Sequence, residues 1–137
     1  MTIFKIVVLL LSTLALFYAS STRLITPTKA VFLQSYVENP EHSPVNIDLL
    51  NEIRGVGAVM LLGGIIALLG ALRADFRLTS FVVVTLIFGG VVLGRSLSLV
   101  VDGVPNETLM HAASAELVLS VFNVFCLVQI LIQGEDL

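Results

Sequence analysis

The sequence has little charge, and this scarcity is its most informative property. Only 12% of the 137 residues are charged, whereas 57% are hydrophobic, and the mean hydropathy is +1.04. A soluble domain has about 25% charged and about 45–50% apolar residues. Because hydrocarbon does not solvate ions, so low a charge content indicates a surface that faces lipid. The composition predicts a membrane protein, and the length predicts a single domain.

Several features that would indicate a particular function are also missing from the sequence. The net charge is −3, without a basic surplus, so no nucleic-acid partner is expected. A single cysteine, Cys126, excludes an internal disulfide framework and gives no zinc pattern. Ser98 and Ser120 have no histidine close by in the sequence to act as a base, so nucleophilic catalysis has no support. We therefore expect no catalytic residue, no metal site and no cofactor.

What the sequence does contain is four long apolar runs. They predict helices at about residues 3–21, 47–72, 78–101 and 109–132. Each run approaches the ~20 residues that cross a hydrocarbon core of ~30 Å, where a helix satisfies its own backbone groups. Short links between the later runs make consecutive helices antiparallel neighbours. The predicted fold is all-α, an integral membrane antiparallel four-helix bundle in a single transmembrane domain, residues 1–137.

The first run has a second interpretation, and the segment after it is the one long link. Lys5, an apolar stretch and the small residues up to Ser21 are typical of a secretory signal, but we interpret the run as a retained helix. Residues 22–46 contain three of the four prolines and are predicted to form a long polar loop. Within it, residues 30–33 are apolar enough for a short helical piece at the membrane interface.

The basic residues give a weak prediction of orientation. The end of the bundle that carries both termini has Lys5, Arg73 and Arg77, and the opposite end has a similar number of basic residues. Because Arg73 and Arg77 lie in a short link, where positive charge favours the cytoplasm, we expect both termini to be cytoplasmic.

Two charges inside predicted helices are the main candidates for a site. Arg95 lies seven residues before Asp102, where the third helix ends, and Glu116 lies seven residues after Leu109, where the fourth begins. At 1.5 Å per residue, both would lie ~10 Å below the same surface. A lone charge within a membrane helix costs about 2.5–3.5 kcal/mol on insertion scales, so pairing is expected. We predict that Arg95 and Glu116 lie side by side.

Polar residues at helical spacing extend this pair. In the third helix, polar residues lie three and seven positions after the arginine. In the fourth helix, they lie four and seven positions after the glutamate. The second helix begins with charged residues at the end of the bundle where this pair is predicted. The predicted polar cluster, a ligand-binding or structural pocket open towards the long loop, comprises Glu52, Arg54, Arg95, Ser98, Asp102, Glu116, Ser120 and Asn123. Two interpretations stay open, because such charges mark functional sites or act as interhelical fasteners.

Small residues at i+4 spacing predict close helix packing. They form one face of the second helix, with Gly63 and Ala67, and one face of the third, with Gly90 and Gly94. Such faces let two backbones approach, within the bundle or between two copies of the chain. We expect them to serve internal packing.

Short motifs carry a resemblance to a known family. In order, they are Glu52-Ile53-Arg54-Gly55, Gly94-Arg95, Asp102-Gly103 and Glu116. This pattern resembles that of the bacterial membrane proteins grouped as domain of unknown function 4345, which are loosely similar to DoxX-like four-helix proteins. The resemblance covers most of the chain and is weakest in the long loop and the first helix. It implies a four-helix protein of the bacterial inner membrane with these charged residues as its signature, and it implies no activity.

Three functional hypotheses follow. The first is a small accessory or scaffold subunit that binds another membrane protein, itself or membrane lipid. The alternative is a binder of a small amphiphile, such as a lipid head group or a quinone, in the polar pocket. The third is a proton or ion path along Glu116, Ser120 and Asn123, which is disfavoured because the fourth helix continues with only Cys126 and Gln129 as polar residues.

Overall fold

The structure is a computed structural model, and it describes residues 2–27 and 47–133. These residues form four long helices, α1 (Thr2–Ile25), α2 (Ile47–Leu72), α3 (Arg77–Val101) and α4 (Glu107–Gln133). A short 3-10 turn, Ala74–Phe76, joins α2 to α3. The four helical segments are each long and apolar enough to cross a membrane. The predicted all-α four-helix fold is confirmed, and the chain is an integral membrane protein.

The first helix is longer than predicted. It continues to Ile25 rather than ending near residue 21, so Thr22 and Arg23 are helical and do not belong to the loop. Thr22 Oγ1 and Arg23 Nη1 both donate to the carbonyl oxygen of Ala19, at 3.0 and 2.9 Å, and so satisfy an acceptor near the end of the helix. The interfacial piece predicted at residues 30–33 lies outside the described residues.

Neighbouring helices pack in chain order. The most extensive packing is between α1 and α2, followed by that between α3 and α4 and that between α2 and α3. The contact that closes the ring, between α1 and α4, is much smaller, and α2 lies diagonally across from α4. We call the end of the bundle near Ile25, Ile47 and Val101 the loop end, and the end near Thr2 and Gln133 the terminal end.

The link between α3 and α4 has a well-defined backbone geometry. Gly103 has a φ of 103°, a left-handed conformation that favours glycine, and its N–H donates to the carbonyl oxygen of Ser98 at 3.2 Å. Three residues later the Oδ1 atom of Asn106 accepts the N–H of Leu109 at 2.9 Å and caps α4. The chain therefore reverses within a few residues, which fixes α3 and α4 as an antiparallel pair.

Glycines on α2 allow α1 to approach it closely. A Cβ atom added at Gly57 would lie 2.8 Å from the Cβ of Arg23, and one at Gly64 would lie 2.6 Å from the ring of Phe17. The small-residue face predicted for α2, with Gly63 and Ala67, is likewise buried inside the bundle. The corresponding face of α3 is not, because nothing lies within 4 Å of a Cβ added at Gly90 or Gly94.

Two of the four helices, α3 and α4, contribute to the core only towards the terminal end. The buried residues of α3 all lie between Arg77 and Phe88, and those of α4 between Ser120 and Ile130. In contrast, α1 and α2 have buried residues along most of their length. Towards the loop end, α3 and α4 therefore pack less closely against α1 and α2 and leave space between the helices.

Candidate functional site

A cavity of about 360 Å³ occupies the space between the helices towards the loop end. It lies between α1, α3 and α4, with Met60 of α2 closing one side. Most of the wall is apolar, and its side chains include Ala15, Leu16, Ile87, Phe88, Val91, Leu109 and Ala112. Three charged side chains also line it: Arg23, Arg95 and Glu116. The cavity thus combines an apolar wall with a charged side.

Arg95 and Glu116 lie side by side on that charged side. Arg95 Nη2 donates a hydrogen bond of 3.1 Å to Glu116 Oε1. Arg95 Nε is also 2.6 Å from Glu116 Oε2, but these two atoms are not aligned as a hydrogen bond requires, so we regard that contact as electrostatic. The two side chains keep 25% and 19% of their surface exposed. The pair is therefore partly accessible from the cavity.

Arg23 is the third charged residue of the cavity, and the sequence analysis did not include it in the cluster. It is close enough to Glu116 and Arg95 to interact with both electrostatically. Among the described residues, two guanidinium groups thus lie beside the Glu116 carboxylate at the charged side of the cavity. Arg23 was missed because α1 was predicted to end before it. Its position seven residues after Leu16, on the buried stripe of α1, would have been the signal.

Glu52 and Arg54 begin α2 at the same end but have different surroundings. Glu52 is exposed and lines a shallow recess next to the cavity, together with Arg23 and Arg95. Arg54 is exposed and lines neither the cavity nor that recess. The structure therefore brings Glu52 near the charged side and leaves Arg54 outside it.

Ser98 and Asp102 do not line the cavity. Ser98 Oγ donates a hydrogen bond of 2.8 Å to Asp102 Oδ2 on the exposed surface of α3. This contact lies at the C-terminal end of α3, where the carbonyl oxygen of Ser98 also accepts the backbone N–H groups of Asp102 and Gly103. The stripe predicted along α3 is therefore divided, with only Arg95 facing the cavity.

Ser120 and Asn123 lie deeper in the bundle than the charged side chains. Asn123 is fully buried and forms a contact with Ser12 of α1, in which Nδ2 donates to Ser12 Oγ at 2.9 Å. The same Nδ2 donates to the carbonyl oxygen of Leu119 at 2.8 Å. Ser120 is buried one turn above, between this contact and Glu116. Asn123 therefore joins α4 to α1 and does not line the cavity.

The sequence analysis also missed the buried polar residues of α1. Lys5, Ser12 and Ser20 are each at most 1% exposed. Lys5 lies near enough to Cys126 to interact with it electrostatically. A proton path was disfavoured from the polar residues of the fourth helix, without these groups of the first. A stripe of polar residues at helical spacing in the first run would have been the signal.

A comparison with protein families decides which group the chain belongs to. The family model described as Domain of unknown function (DUF4345) matches residues 3–127. The chain belongs to the DUF4345 family. The resemblance found in the sequence is thereby confirmed. Neither the curated proteins nor the solved structures include a significant match.

The matched region includes the whole cavity of this DUF4345 protein. All residues that line the cavity fall between Ala15 and Glu116, well inside the matched range. Within residues 2–27 and 47–133, no three His, Cys, Asp or Glu side chains are grouped as a metal site requires. Guanidinium groups such as those of Arg23 and Arg95 are able to bind carboxylate and phosphate through paired hydrogen bonds.

Proposed function

We propose that this DUF4345 protein binds a small amphiphile with an anionic head group in the cavity at the loop end. The observation that carries the proposal is the meeting of Arg23, Arg95 and Glu116 at one side of a mainly apolar cavity. The geometry favours this function over an accessory subunit, because an internal cavity of this kind serves a small ligand better than a protein partner.

Arg95 is the residue that we expect to contact the head group directly. A guanidinium has five N–H donors, and Glu116 lies against only the Nε and Nη2 sides. The Nη1 group can therefore donate to a carboxylate or phosphate oxygen while the contact with Glu116 persists. Arg23 lines the same side of the cavity, so a head group held by Arg95 also lies near a second guanidinium.

The apolar wall is suited to the hydrocarbon part of the same ligand. Leu16 and Phe88 are almost completely buried at the side of the cavity away from the arginines, and Val91 lies between. A hydrocarbon chain placed there would fill space that is otherwise poorly packed, and it would gain dispersion contacts with these side chains. Head and chain thus have separate, chemically matched surroundings.

Native mass spectrometry of the protein extracted in a mild detergent tests the proposal. We expect the wild type to retain an anionic amphiphile of defined mass, and Arg95→Gln to lose it. Arg54→Gln removes the same charge from the same end of the bundle but outside the cavity, so it should retain the ligand. Loss from both variants, or no retained amphiphile in the wild type, would contradict the proposal.

A double substitution separates ligand binding from folding. Arg95→Gln alone leaves Glu116 without its cation and reduces stability for that reason. In Arg95→Gln/Glu116→Gln the two amides can hydrogen bond to each other, so the fold should be retained while the Arg95 guanidinium is absent. A folded double variant that still carries the amphiphile would show that Arg95 does not hold the head group.

A second candidate is the accessory or scaffold subunit favoured by the sequence. It is supported by the exposed face of α3, where Gly90 and Gly94 have open space around them. Another helix could approach closely there, from a second copy or a different membrane protein. The same mass spectra distinguish this candidate, because a bound polypeptide or a defined oligomer would favour it over the amphiphile.

We further propose a place in the bacterial inner membrane with both termini in the cytoplasm. Support for the orientation comes from Arg73 and Arg77, which flank the short turn at the terminal end. Asp75→Cys, made together with Cys126→Ala, places a single thiol in that turn. An impermeant thiol reagent added to intact cells should leave it unlabelled, and rapid labelling would reverse the orientation.

A further inference from the structure

We propose that the ligand is a single-chain amphiphile with an anionic head, and that it enters the cavity from the bilayer between α1 and α4. This inference rests on the proposed function, and it adds the class of ligand and its route. It depends on the size of the cavity, on the positions of its charged and apolar sides, and on which lining residues are also exposed.

The volume of the cavity selects ligands with one chain. At about 30 Å³ for each water-sized group, a cavity of about 360 Å³ has room for roughly a dozen non-hydrogen atoms. A short chain with a small head fits this space. The two long chains of a bilayer phospholipid do not, so we expect such lipids to be excluded.

The charged and apolar sides set the direction of the ligand. Arg95 precedes the loop end of α3, and Phe88 lies seven residues back along the same helix, which is about 10 Å at 1.5 Å per residue. Phe88 and Leu16 are buried side chains at that lower boundary. The head therefore lies towards the loop end, and the chain points to the middle of the bundle.

The lining residues that are also exposed mark the route. Tyr18 of α1 is 71% exposed, and Ala112 and Ala115 of α4 are exposed too, although all three line the cavity. They belong to the two helices whose mutual contact is small. Because the alanines are short, the gap between α1 and α4 stays open to the surrounding hydrocarbon, and a ligand can enter sideways.

The floor of the cavity limits the length of the chain. Ile87 lines the cavity, and its Cδ1 atom occupies the space that a Cβ at Gly63 would fill. The same Cβ would lie 3.6 Å from Leu16 Cδ1, so Gly63 lets both side chains close the floor. Shortening Ile87 should therefore deepen the cavity and admit a longer chain.

A chain-length series tests the class of ligand. Delipidated protein in detergent is offered fatty acids and monoalkyl phosphates of increasing length, with a two-chain phosphatidic acid as competitor, and the retained species are weighed by native mass spectrometry. We expect fatty acids of about ten carbons and monoalkyl phosphates of about seven to be preferred, because each has about a dozen non-hydrogen atoms. The preference between the carboxylate and phosphate series identifies the head group.

Substitutions at the floor make the test specific to the cavity. Ile87→Ala should shift the preferred length upward by about three carbons, and the milder Ile87→Val by about one, because each carbon removed makes room for about one more. Leu93→Ala, on the exposed side of the same helix, should cause no shift. Ile87→Val keeps the test decisive if Ile87→Ala does not fold.

Loading from vesicles tests the route. Ala112→Leu/Ala115→Leu narrows the gap and should slow the uptake of a vesicle-borne fatty acid several-fold. Ser114→Leu adds the same side chain to an exposed position of α4 that does not line the cavity, and it should leave uptake unchanged.

The outcomes separate this inference from the proposed function. The single-chain assignment is overturned if one-chain and two-chain anions are retained equally well. It is also overturned if neither Ile87→Ala nor Ile87→Val changes the preferred chain length. Both results leave the proposed function intact. Equal uptake by the alanine-to-leucine variant and its control overturns the route. If the wild type retains no anionic amphiphile at all, both the inference and the proposed function fail.

Discussion

The terminal half and the loop half of the bundle differ in how closely α3 and α4 are packed. At the terminal end these helices bury Phe81, Val84 and Ile130 completely, together with polar side chains such as Ser80. Towards the loop end, the same two helices have no buried residue in the described ranges 89–101 and 107–119. Close packing in one half and a cavity in the other thus occur along single continuous helices.

Because of this difference, we expect the terminal half to stabilise the fold and the loop half to bind the ligand. In lipid, apolar side chains gain little from association as such, so helices are held by close packing and interhelical hydrogen bonds. The terminal half has both, with Ser80 Oγ donating to the carbonyl oxygen of Ile66 at 2.6 Å. The loop half has the Arg95–Glu116 contact and open space. We therefore expect substitutions in the terminal half to affect folding, and those in the loop half to affect the ligand.

The largest effect is expected from truncation of a fully buried aromatic residue. Phe81→Ala leaves a void of roughly 100 Å³, and at about 24 cal/mol per Å³ this lowers the free energy of unfolding by about 2 kcal/mol. Leu97→Ala, a lipid-facing residue that is 65% exposed, should stay within about 0.5 kcal/mol of the wild type. Unfolding by SDS titration in detergent micelles measures both. Equal losses would mean that the halves do not differ in packing.

A matched pair of glycine substitutions should give effects of opposite sign. A Cβ at Gly70 would collide with Ser80 and displace its hydroxyl from Ile66, so Gly70→Ala should destabilise the protein by about 1–3 kcal/mol. Gly94→Ala meets nothing within 4 Å, and it should stabilise α3 by about 0.5–1 kcal/mol. Thermal unfolding followed by circular dichroism reports both changes. Destabilisation by Gly94→Ala would indicate that a partner occupies this face.

The smallest effect is expected at the polar contact between α1 and α4. A double-mutant cycle of Ser12→Ala and Asn123→Leu should give a coupling energy of about 0.6 kcal/mol, and no more than about 1.7 kcal/mol. A control cycle combines Asn123→Leu with Ser96→Ala, whose hydroxyl binds only its own helix, and should give none. SDS titration measures both cycles. A zero coupling for Ser12 would remove this contact from the forces that hold the terminal half together.

The sequence was sufficient for the fold and for one contact. Four apolar runs predict four helices because lipid leaves the backbone few alternatives. The placement of Arg95 beside Glu116 follows from counting residues back from a short link, since the helical rise converts those counts into depth. These predictions depend on local geometry within one helical hairpin.

The remainder depends on how distant helices pack. The predicted cluster was divided because the rotation of each helix about its axis decides which polar residues face inward, and Ser98 and Asp102 face outward. Arg23 was missed because α1 was predicted to end near residue 21, and Ser12 was missed because the polar residues of α1 were not compared with those of the other helices. A pocket at the loop end was predicted, but the residues of its wall were not, because α1, α3 and α4 all contribute to that wall and no single segment encodes their arrangement.

The short link between α3 and α4 also has a consequence for how the chain reaches the membrane. Arg95 and Glu116 lie at similar distances from this link and contact each other across the hairpin. An arginine alone in a membrane helix would add about 2.5–3.5 kcal/mol to the free energy of insertion. Paired with its glutamate, it leaves the hairpin electrically neutral at that depth. The two helices are therefore best transferred into the bilayer together, as one unit of biogenesis.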